Sequence, residues 1–177
     1  ILDAVLGEHH STALRNRVLI PLGMNNTFYN GVEKALGSII SGYFNLDGDV
    51  INTKIAYQNI GVADAPLVST VEDLTLLIRA VASSNTPISE SIRVLMIGDD
   101  NLTNLGDGAF YGMGMMKDTL TGKPIYHHGG DEPGYSSTNI YIPHNDTSIT
   151  LFINCGVAEN CVQRQNKLVD TVLSNEL

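Results

Sequence analysis

The residues best suited to chemistry lie in segment 126–137, where two histidines stand beside two glycines. His127 and His128 precede Gly129 and Gly130 at the end of a predicted strand. Neutral imidazole takes up or donates a proton near neutral pH, and glycine lets a second backbone approach closely. We therefore predict a ligand-facing edge strand with a histidine in the site. The alternative is a solvent-exposed hairpin whose histidines have no role.

The spacing of the histidines predicts neither a metal site nor a cofactor. Successive residues of a strand point to opposite faces, so His127 and His128 cannot both face one pocket or share one metal ion. We interpret His9 and His10, in front of a predicted helix, as an exposed pair without a metal.

Two cysteines, Cys155 and Cys161, are present. They lack the CxxC or Cys/His spacing of a zinc site. Their separation allows a small disulfide loop or two buried thiols, and we favour the thiols.

Composition excludes two classes of function. The 177 residues include 10 basic and 19 acidic ones, for a formal charge of −9, and the basic residues are scattered singly. Such a surface repels nucleic acid and anionic membranes. No apolar run approaches about 20 residues, so no membrane span is predicted. A hydrophobic content of 43% against 16% charged residues indicates a folded chain with a core.

Helical patterns dominate the first part of the chain. Residues 1–6 have the pattern of a helix that stops at Gly7, and Ser11 can cap a second helix that Pro21 ends. Ser69 and Glu72 have the spacing of a capping box in front of a helix with one apolar stripe. A further short helix is predicted after Pro87, and its inward residues are predicted to be Ile88, Ile92 and Leu95.

Extended patterns follow. Asp47-Gly48 is a predicted hairpin tip. Strands are predicted at 110–116, 123–128, 137–143 and 148–154, with a last helix at 158–173. This order predicts an α+β fold in which the C-terminal helix covers an antiparallel sheet beside a helical region. We expect a single incomplete domain over 1–177, mainly helical over 1–107, with strands and the last helix over 108–177.

Four segments, in this order, resemble the serine β-lactamase-like family, which includes class C β-lactamases, penicillin-binding DD-peptidases and related esterases. They are residues 18–24 with Thr27, residues 67–74, residues 111–114, and residues 127–130 with 133–136. The resemblance implies the C-terminal part of the β-lactamase/transpeptidase-like fold. The family's third active-site motif is Lys-Thr-Gly or His-Thr-Gly on an edge strand, and His127-His128-Gly129 lies on that motif.

The resemblance also implies roles for these residues. His127 would supply positive or hydrogen-bonding character beside the nucleophile, and the Gly130 backbone N–H would form half of the oxyanion hole. His128 replaces a hydroxyl residue that holds the substrate carboxylate, Gly129 lets the substrate lie along the strand, and Tyr111 lines the pocket.

The family's nucleophile lies in a Ser-x-x-Lys motif, and a Tyr-x-Asn motif completes the proton relay. No serine in this sequence is followed three positions later by lysine. Tyr57-Gln58-Asn59 has the letters of the second motif but follows residues 18–24, where the family does not place it, so we interpret it as chance. Since the chain opens on Ile1 within a helical pattern, we expect these motifs upstream.

The sequence thus predicts the C-terminal part of a serine acyl-transfer hydrolase, inactive alone, whose substrate is a β-lactam, peptide or ester. The alternative is a non-catalytic binding or cell-envelope regulatory member of the same fold, and a metal-dependent hydrolase is disfavoured. Expected partners are the missing N-terminal segment and other copies of the chain, bound through an exposed sheet edge. The resemblance implies a periplasmic or secreted location.

Overall fold

A computed structural model describes residues 1–57, 64–119, 122–157 and 159–176. Its α-helices are α1 (Leu2–Leu6), α2 (His10–Leu14), α3 (Ile20–Leu22), α4 (Lys54–Tyr57), α5 (Val71–Ala82), α6 (Glu90–Ile97) and α7 (Glu159–Glu176). Its strands are β1 (Phe28–Tyr29), β2 (Tyr43–Leu46), β3 (Asp49–Asn52), β4 (Leu67–Val68), β5 (Thr103–Gly106), β6 (Ala109–Tyr111), β7 (Met116–Asp118), β8 (Ile125–Glu132), β9 (Tyr135–Ile142) and β10 (Thr147–Ile153). None of the helices in this part of the chain has the length and apolar character needed to cross a bilayer.

Six antiparallel strands form the main sheet, in the order β10-β9-β8-β7-β6-β5. Two small sheets accompany it: β1 pairs with β4, and β2 pairs with β3 around the predicted tip at Asp47-Gly48. Helices come first, then consecutive antiparallel strands, then a C-terminal helix. This arrangement confirms the predicted α+β class.

Alternation along β9 separates the two faces of the sheet. Ile140 and Ile142 pack with Ile125 beneath α7, where Val169 and Leu173 cover them. We call this side the α7 face. Because side chains alternate along a strand, the residues between them point the other way. The last helix therefore covers the sheet as predicted.

The opposite side, the α5 face, packs against α5. Tyr141 joins a core cluster with Ile78 and Val81 of that helix. Asn139 Nδ2 donates to the Leu74 carbonyl oxygen at 2.9 Å. The apolar stripe predicted for this helix is thus the surface that anchors the helical region on the sheet.

A buried carboxylate ties the first helical segment to α5. Asp73 is 3% exposed and accepts hydrogen bonds from the Asn26 backbone N–H and from Thr27 Oγ1, each at 2.8 Å. The Ser69 hydroxyl lies 2.8 Å from Thr27 Oγ1. Two segments that carried the resemblance, 18–24 with Thr27 and 67–74, therefore hold each other in place.

These contacts explain why the predicted capping box is wrong. The N-cap of α5 is Thr70, whose Oγ1 accepts from the Asp73 N–H at 3.2 Å. Ser69 lies one residue outside the helix because its hydroxyl is engaged with Thr27.

The predicted helix end at Pro21 is also wrong. A π-helical turn (Arg15–Leu19) continues α2 into α3, which contains Pro21 and ends at Gly23 with φ +74°. Pro21 is the second residue of α3, which directly follows the π-helical turn.

Helix α6 only partly follows its predicted orientation. Ile88 packs against the core, but Ile92 and Leu95 are 50% and 51% exposed. The inward residues are instead Met96 and Ile97, and the helix begins at Glu90 rather than at Pro87.

Cys155 and Cys161 form a disulfide with their Cα atoms 6.1 Å apart, so the favoured interpretation of two thiols is wrong. The end of β10 and the first turn of α7 bring them together: Cys161 is buried in that turn, and Cys155 is the second residue after the strand. The bridge fixes the position where α7 starts to cover the sheet.

Reduction of this disulfide is expected to lower the free energy of unfolding by about 2 kcal/mol, since it closes a loop of only about seven residues. Urea unfolding followed by circular dichroism, with and without dithiothreitol, measures the change. A double variant, Cys155→Ser with Cys161→Ala, serves as the control because reductant has no bond to break in it. Equal stability of the oxidised and reduced wild-type chain would contradict the prediction.

Candidate active site

Strand β8 is longer than its neighbour β7. The two pair from Ile125 to His127, and His127 lies opposite Met116, the first residue of β7. Residues 128–132 continue along β9 on the other side. In the described part of the chain, this stretch therefore has a hydrogen-bonding edge without a partner strand, and residues 128–131 are exposed.

A tight turn accounts for the short β7. The Gly112 N–H donates to the Met115 carbonyl oxygen at 2.8 Å, and Gly114 adopts φ +73°. A side chain on Gly112 would overlap the Met96 carbonyl of α6. The glycines of segment 111–114 thus let the chain turn directly against α6, which leaves Tyr111 beside the free edge of β8.

The far end of β8 is held by a second glycine turn. Gly134 has φ +94°, and a side chain there would overlap Thr53 and the backbone of Gly42. The Tyr135 hydroxyl accepts from the Gly42 N–H at 3.0 Å and donates to the Ile40 carbonyl at 2.8 Å. The exposed edge is therefore fixed at both ends.

His128 and Tyr111 meet beside this edge. Their rings lie 6.1 Å apart, and Tyr111 Oη is 3.4 Å from His128 Nε2. His128 lies opposite Asn139 in the register, and Gly130 opposite Ser137, so both belong to the α5 face. The structure brings together Tyr111, His128, Gly129 and Gly130.

His127 points to the other side. It lies opposite Ile140, a residue of the α7 face, and is half-buried. Burial lowers the pKa of the His127 imidazole, the negative charge of Asp118 opposes this shift, and His128 adds to it. The alternation predicted for the two histidines is observed, and it separates His127 from the exposed edge.

The stability of the chain is expected to fall as the pH falls below the ordinary histidine value of 6.5, because the unfolded chain then binds a proton that folded His127 resists. His127→Gln is expected to flatten the dependence between pH 5 and pH 7, where carboxyl groups contribute little. Urea unfolding at several pH values measures the slope. His144→Gln, at an exposed position, is the matched control, and an unchanged slope in His127→Gln would count against the prediction.

One residue of this surface was not singled out by the sequence. Ser137 lies opposite Gly130 on the same face, and alternation along β9 would have found it. In the part of the chain that the structure describes, neither His127 nor His128 belongs to a cluster of three metal-ligating side chains.

A row of polar side chains crosses the α5 face from this site. Asn139 stands between His128 on β8 and Thr150 on β10. Thr150 lines an open depression of about 380 Å³ together with Val71, Glu72 and Thr75. This face therefore has open space two strands away from His128.

The profile of the beta-lactamase family matches residues 1–173. The chain therefore belongs to the beta-lactamase family, which confirms the resemblance seen in its four segments. No curated protein sequence gives a significant match.

Solved structures share the fold at low sequence identity. A D-stereospecific amidohydrolase from Streptomyces sp. is 23% identical with a TM-score of 0.73, over 87% of this chain and 46% of its own. A penicillin-binding protein from Bacillus halodurans is 19% identical with a TM-score of 0.75, over 94% and 52%. D-amino acid amidase from Ochrobactrum anthropi SV3 is 21% identical with a TM-score of 0.75, over 98% and 53%. The chain spans about half the length of these structures.

Proposed function

We propose that this chain forms the substrate-binding strand and half of the oxyanion hole of a serine acyl-transfer hydrolase. The observation that supports it is the unpaired edge of β8 at residues 128–132, with His128 and Tyr111 beside it. Every other backbone N–H and C=O of an edge strand points outward. An acyl substrate with an amide backbone can therefore add to this edge as a further strand.

The two glycines suit this docking. Gly129 and Gly130 have no side chains to hold a substrate away from the strand. In the proposed reaction a serine attacks the acyl carbon, and the Gly130 N–H stabilises the negative charge that develops on the carbonyl oxygen. The serine becomes acylated, the leaving group takes a proton, and water then releases the acid.

His128 is the histidine we assign to the reaction. The role that the resemblance gave to His127 requires a side chain that is exposed beside the free edge of β8. His128, on the α5 face, is exposed there, whereas His127 points to the α7 face. Its imidazole would donate a hydrogen bond or a proton beside the scissile bond, with Tyr111 Oη near its Nε2. His127 would instead support the strand from the α7 face.

The nucleophile is proposed to come from outside these 177 residues, since no serine here has a lysine three positions later. Without a serine activated in this way the chain alone would be inactive. The second candidate is a non-catalytic binding member of the fold, which the absence of the family's hydroxyl residue from His127-His128-Gly129-Gly130 favours.

Covalent labelling tests the proposal. The natural protein that contains this sequence and the recombinant 177-residue chain are treated with a fluorescent penicillin and with a fluorophosphonate. We expect the natural protein to be acylated at a serine outside the 177 residues and the recombinant chain to remain unlabelled. Acylation of a serine within the chain would overturn the proposal, and an unlabelled natural protein would favour the non-catalytic alternative.

The names of the structural neighbours suggest which substrates to try first. One is a D-amino acid amidase and another a D-stereospecific amidohydrolase. We propose small amides, peptides or esters, and the natural protein should be assayed with D- and L-phenylalanine amide, nitrocefin and a nitrophenyl ester. From the family we also propose a periplasmic or secreted location.

Self-association through β10 is proposed as well. In the described part of the chain β10 pairs with β9 alone, so its outer edge is free, and Phe152 on it is exposed. Free strand edges recruit further strands, and light scattering is expected to detect dimers or larger species. Phe152→Lys places a charge on this edge and is expected to restore the monomer. A monomeric wild-type chain at high concentration would refute the proposal.

A further inference from the structure

We propose that Asp3, His9 and His10 form a binding site for a divalent transition-metal ion, Zn²⁺ being the best fit. The three residues lie at the junction of α1 and α2. One ligand atom from each lies within 4.8 Å of the others. The sequence did not predict this site, because Asp3 approaches His9 and His10 only when α1 packs beside the start of α2.

The pair of imidazoles is already arranged around the carboxylate. The rings of His9 and His10 stack with their centroids 4.4 Å apart. His10 Nδ1 is 2.7 Å from Asp3 Oδ1, which also accepts from the His10 backbone N–H at 2.7 Å.

Each histidine also has a hydroxyl partner on one ring nitrogen. His10 Nε2 is 2.8 Å from Tyr29 Oη, and His9 Nδ1 is 2.7 Å from Ser11 Oγ. A metal-binding histidine typically donates its second N–H to an outer-shell oxygen, and Tyr29 Oη is placed to accept such a bond from His10 Nε2. Zn²⁺ would replace the proton that His10 Nδ1 shares with Asp3 Oδ1, and its binding to His9 would compete with the hydrogen bond that His9 Nδ1 accepts from the Ser11 backbone N–H at 3.3 Å.

Two imidazole nitrogens and one carboxylate oxygen are ligands that Zn²⁺ accepts in tetrahedral sites. Zinc bonds of about 2.0–2.2 Å require the three atoms to close around the ion, and a fourth position stays open to water. Asp3 and His9 are exposed, so the ion can enter and these side chains can adjust.

The site has a structural consequence for α1. No residue of α1 is buried, and Asp3 is the residue through which it contacts His10. Tyr29 belongs to β1, which pairs with β4 rather than with the strands around His128. A bound ion would therefore fasten α1 to α2 and β1 without taking part in the proposed acyl transfer.

Zinc titration of the metal-free chain tests the site. Isothermal calorimetry at pH 7.5 is expected to show one Zn²⁺ per chain, and Co²⁺ is expected to give the visible absorption of a tetrahedral site. His9→Ala and Asp3→Asn change exposed residues and are each expected to weaken binding by at least about 10-fold. His144→Ala, which removes an exposed histidine elsewhere, is the matched control and should bind as the wild type does.

A conservative variant separates metal binding from folding. Tyr29→Phe keeps the ring but removes the oxygen next to His10 Nε2, and it should weaken Zn²⁺ binding roughly 10-fold. Absence of binding in the wild type, or binding that His9→Ala and Asp3→Asn leave unchanged while circular dichroism shows intact folds, would overturn the proposal.

Discussion

Replacement of His128 by alanine is expected to lower kcat/KM of the natural protein by roughly 10²- to 10³-fold, whereas His127→Ala leaves it within a few-fold. The large effect corresponds to removal of one preorganised polar group that acts on the transition state. The small effect follows from orientation, because His127 lies opposite Ile140 on the α7 face. The two neighbouring positions thus predict opposite outcomes for the same substitution.

The comparison requires both variants to be folded. His127→Ala removes a half-buried side chain and should lower stability, while His128→Ala removes an exposed one and should not. His127→Ala is therefore expected to lower the unfolding midpoint with little effect on kcat/KM, and His128→Ala to lower kcat/KM with little effect on the midpoint. Tyr111→Phe, which keeps the ring but removes the hydroxyl 3.4 Å from His128, should have an intermediate effect on kcat/KM.

The reverse pattern would restore the role that the family motif suggested for His127. If His127→Ala alone abolished activity at unchanged stability, the strand would have to present its other face to the substrate. If neither variant affected kcat/KM, the exposed edge of β8 would not be the substrate site.

Periodicity was sufficient to predict the parts of the fold that bury a continuous apolar face. Helix α5 has Ile78 and Val81 on one stripe, and β10 has Ile149 on the side that packs beneath α7. The tip at Asp47-Gly48 was predictable because Asp47 adopts φ +53° and Gly48 φ +96°, conformations that these residue types tolerate. Local signals and burial agree at these positions.

Strand β5 was not predicted, although it is followed by an Asp-Gly turn like the one at Asp47-Gly48. Asp107-Gly108 connects it to β6, and both residues have positive φ. All four residues of β5 are exposed, and its sequence Thr-Asn-Leu-Gly does not alternate between apolar and polar residues, so periodicity could not reveal the strand. Strand β5 forms because it pairs with β6, and this pairing depends on the rest of the sheet rather than on local sequence.

The site was predictable as a location but not in its geometry. Alternation placed His127 and His128 on opposite faces, yet it could not say which face was exposed. The free edge beside His128 also arises from a distant contact, because β7 begins only at Met116, after the turn that Gly112 makes against α6. The N-cap of α5 was predicted wrongly for a similar reason, since the hydrogen-bond partner of Ser69 is 42 residues away in sequence.

The buried carboxylate of Asp73 is expected to contribute strongly to the stability of the helical region. Asp73→Ala is expected to lower the free energy of unfolding by about 3 to 5 kcal/mol, which is a large part of the 5 to 15 kcal/mol typical of a domain. The substitution leaves the Asn26 N–H and the Thr27 hydroxyl without the acceptor that both now share. Thr27 is fully buried, so water cannot replace the lost oxygen.

The adjacent residue provides the control for charge. Glu72 lies in the same first turn of α5 but is exposed, so Glu72→Ala removes an equal charge from the same helix end and should change stability by only about 0.5 kcal/mol. Urea unfolding followed by circular dichroism measures both variants. Similar values for the two would mean that Asp73 acts through the helix dipole alone. A large difference would assign the effect of Asp73 to the two hydrogen bonds that join residues 26–27 to α5. These bonds would then also fix the position of the first helical segment on the sheet.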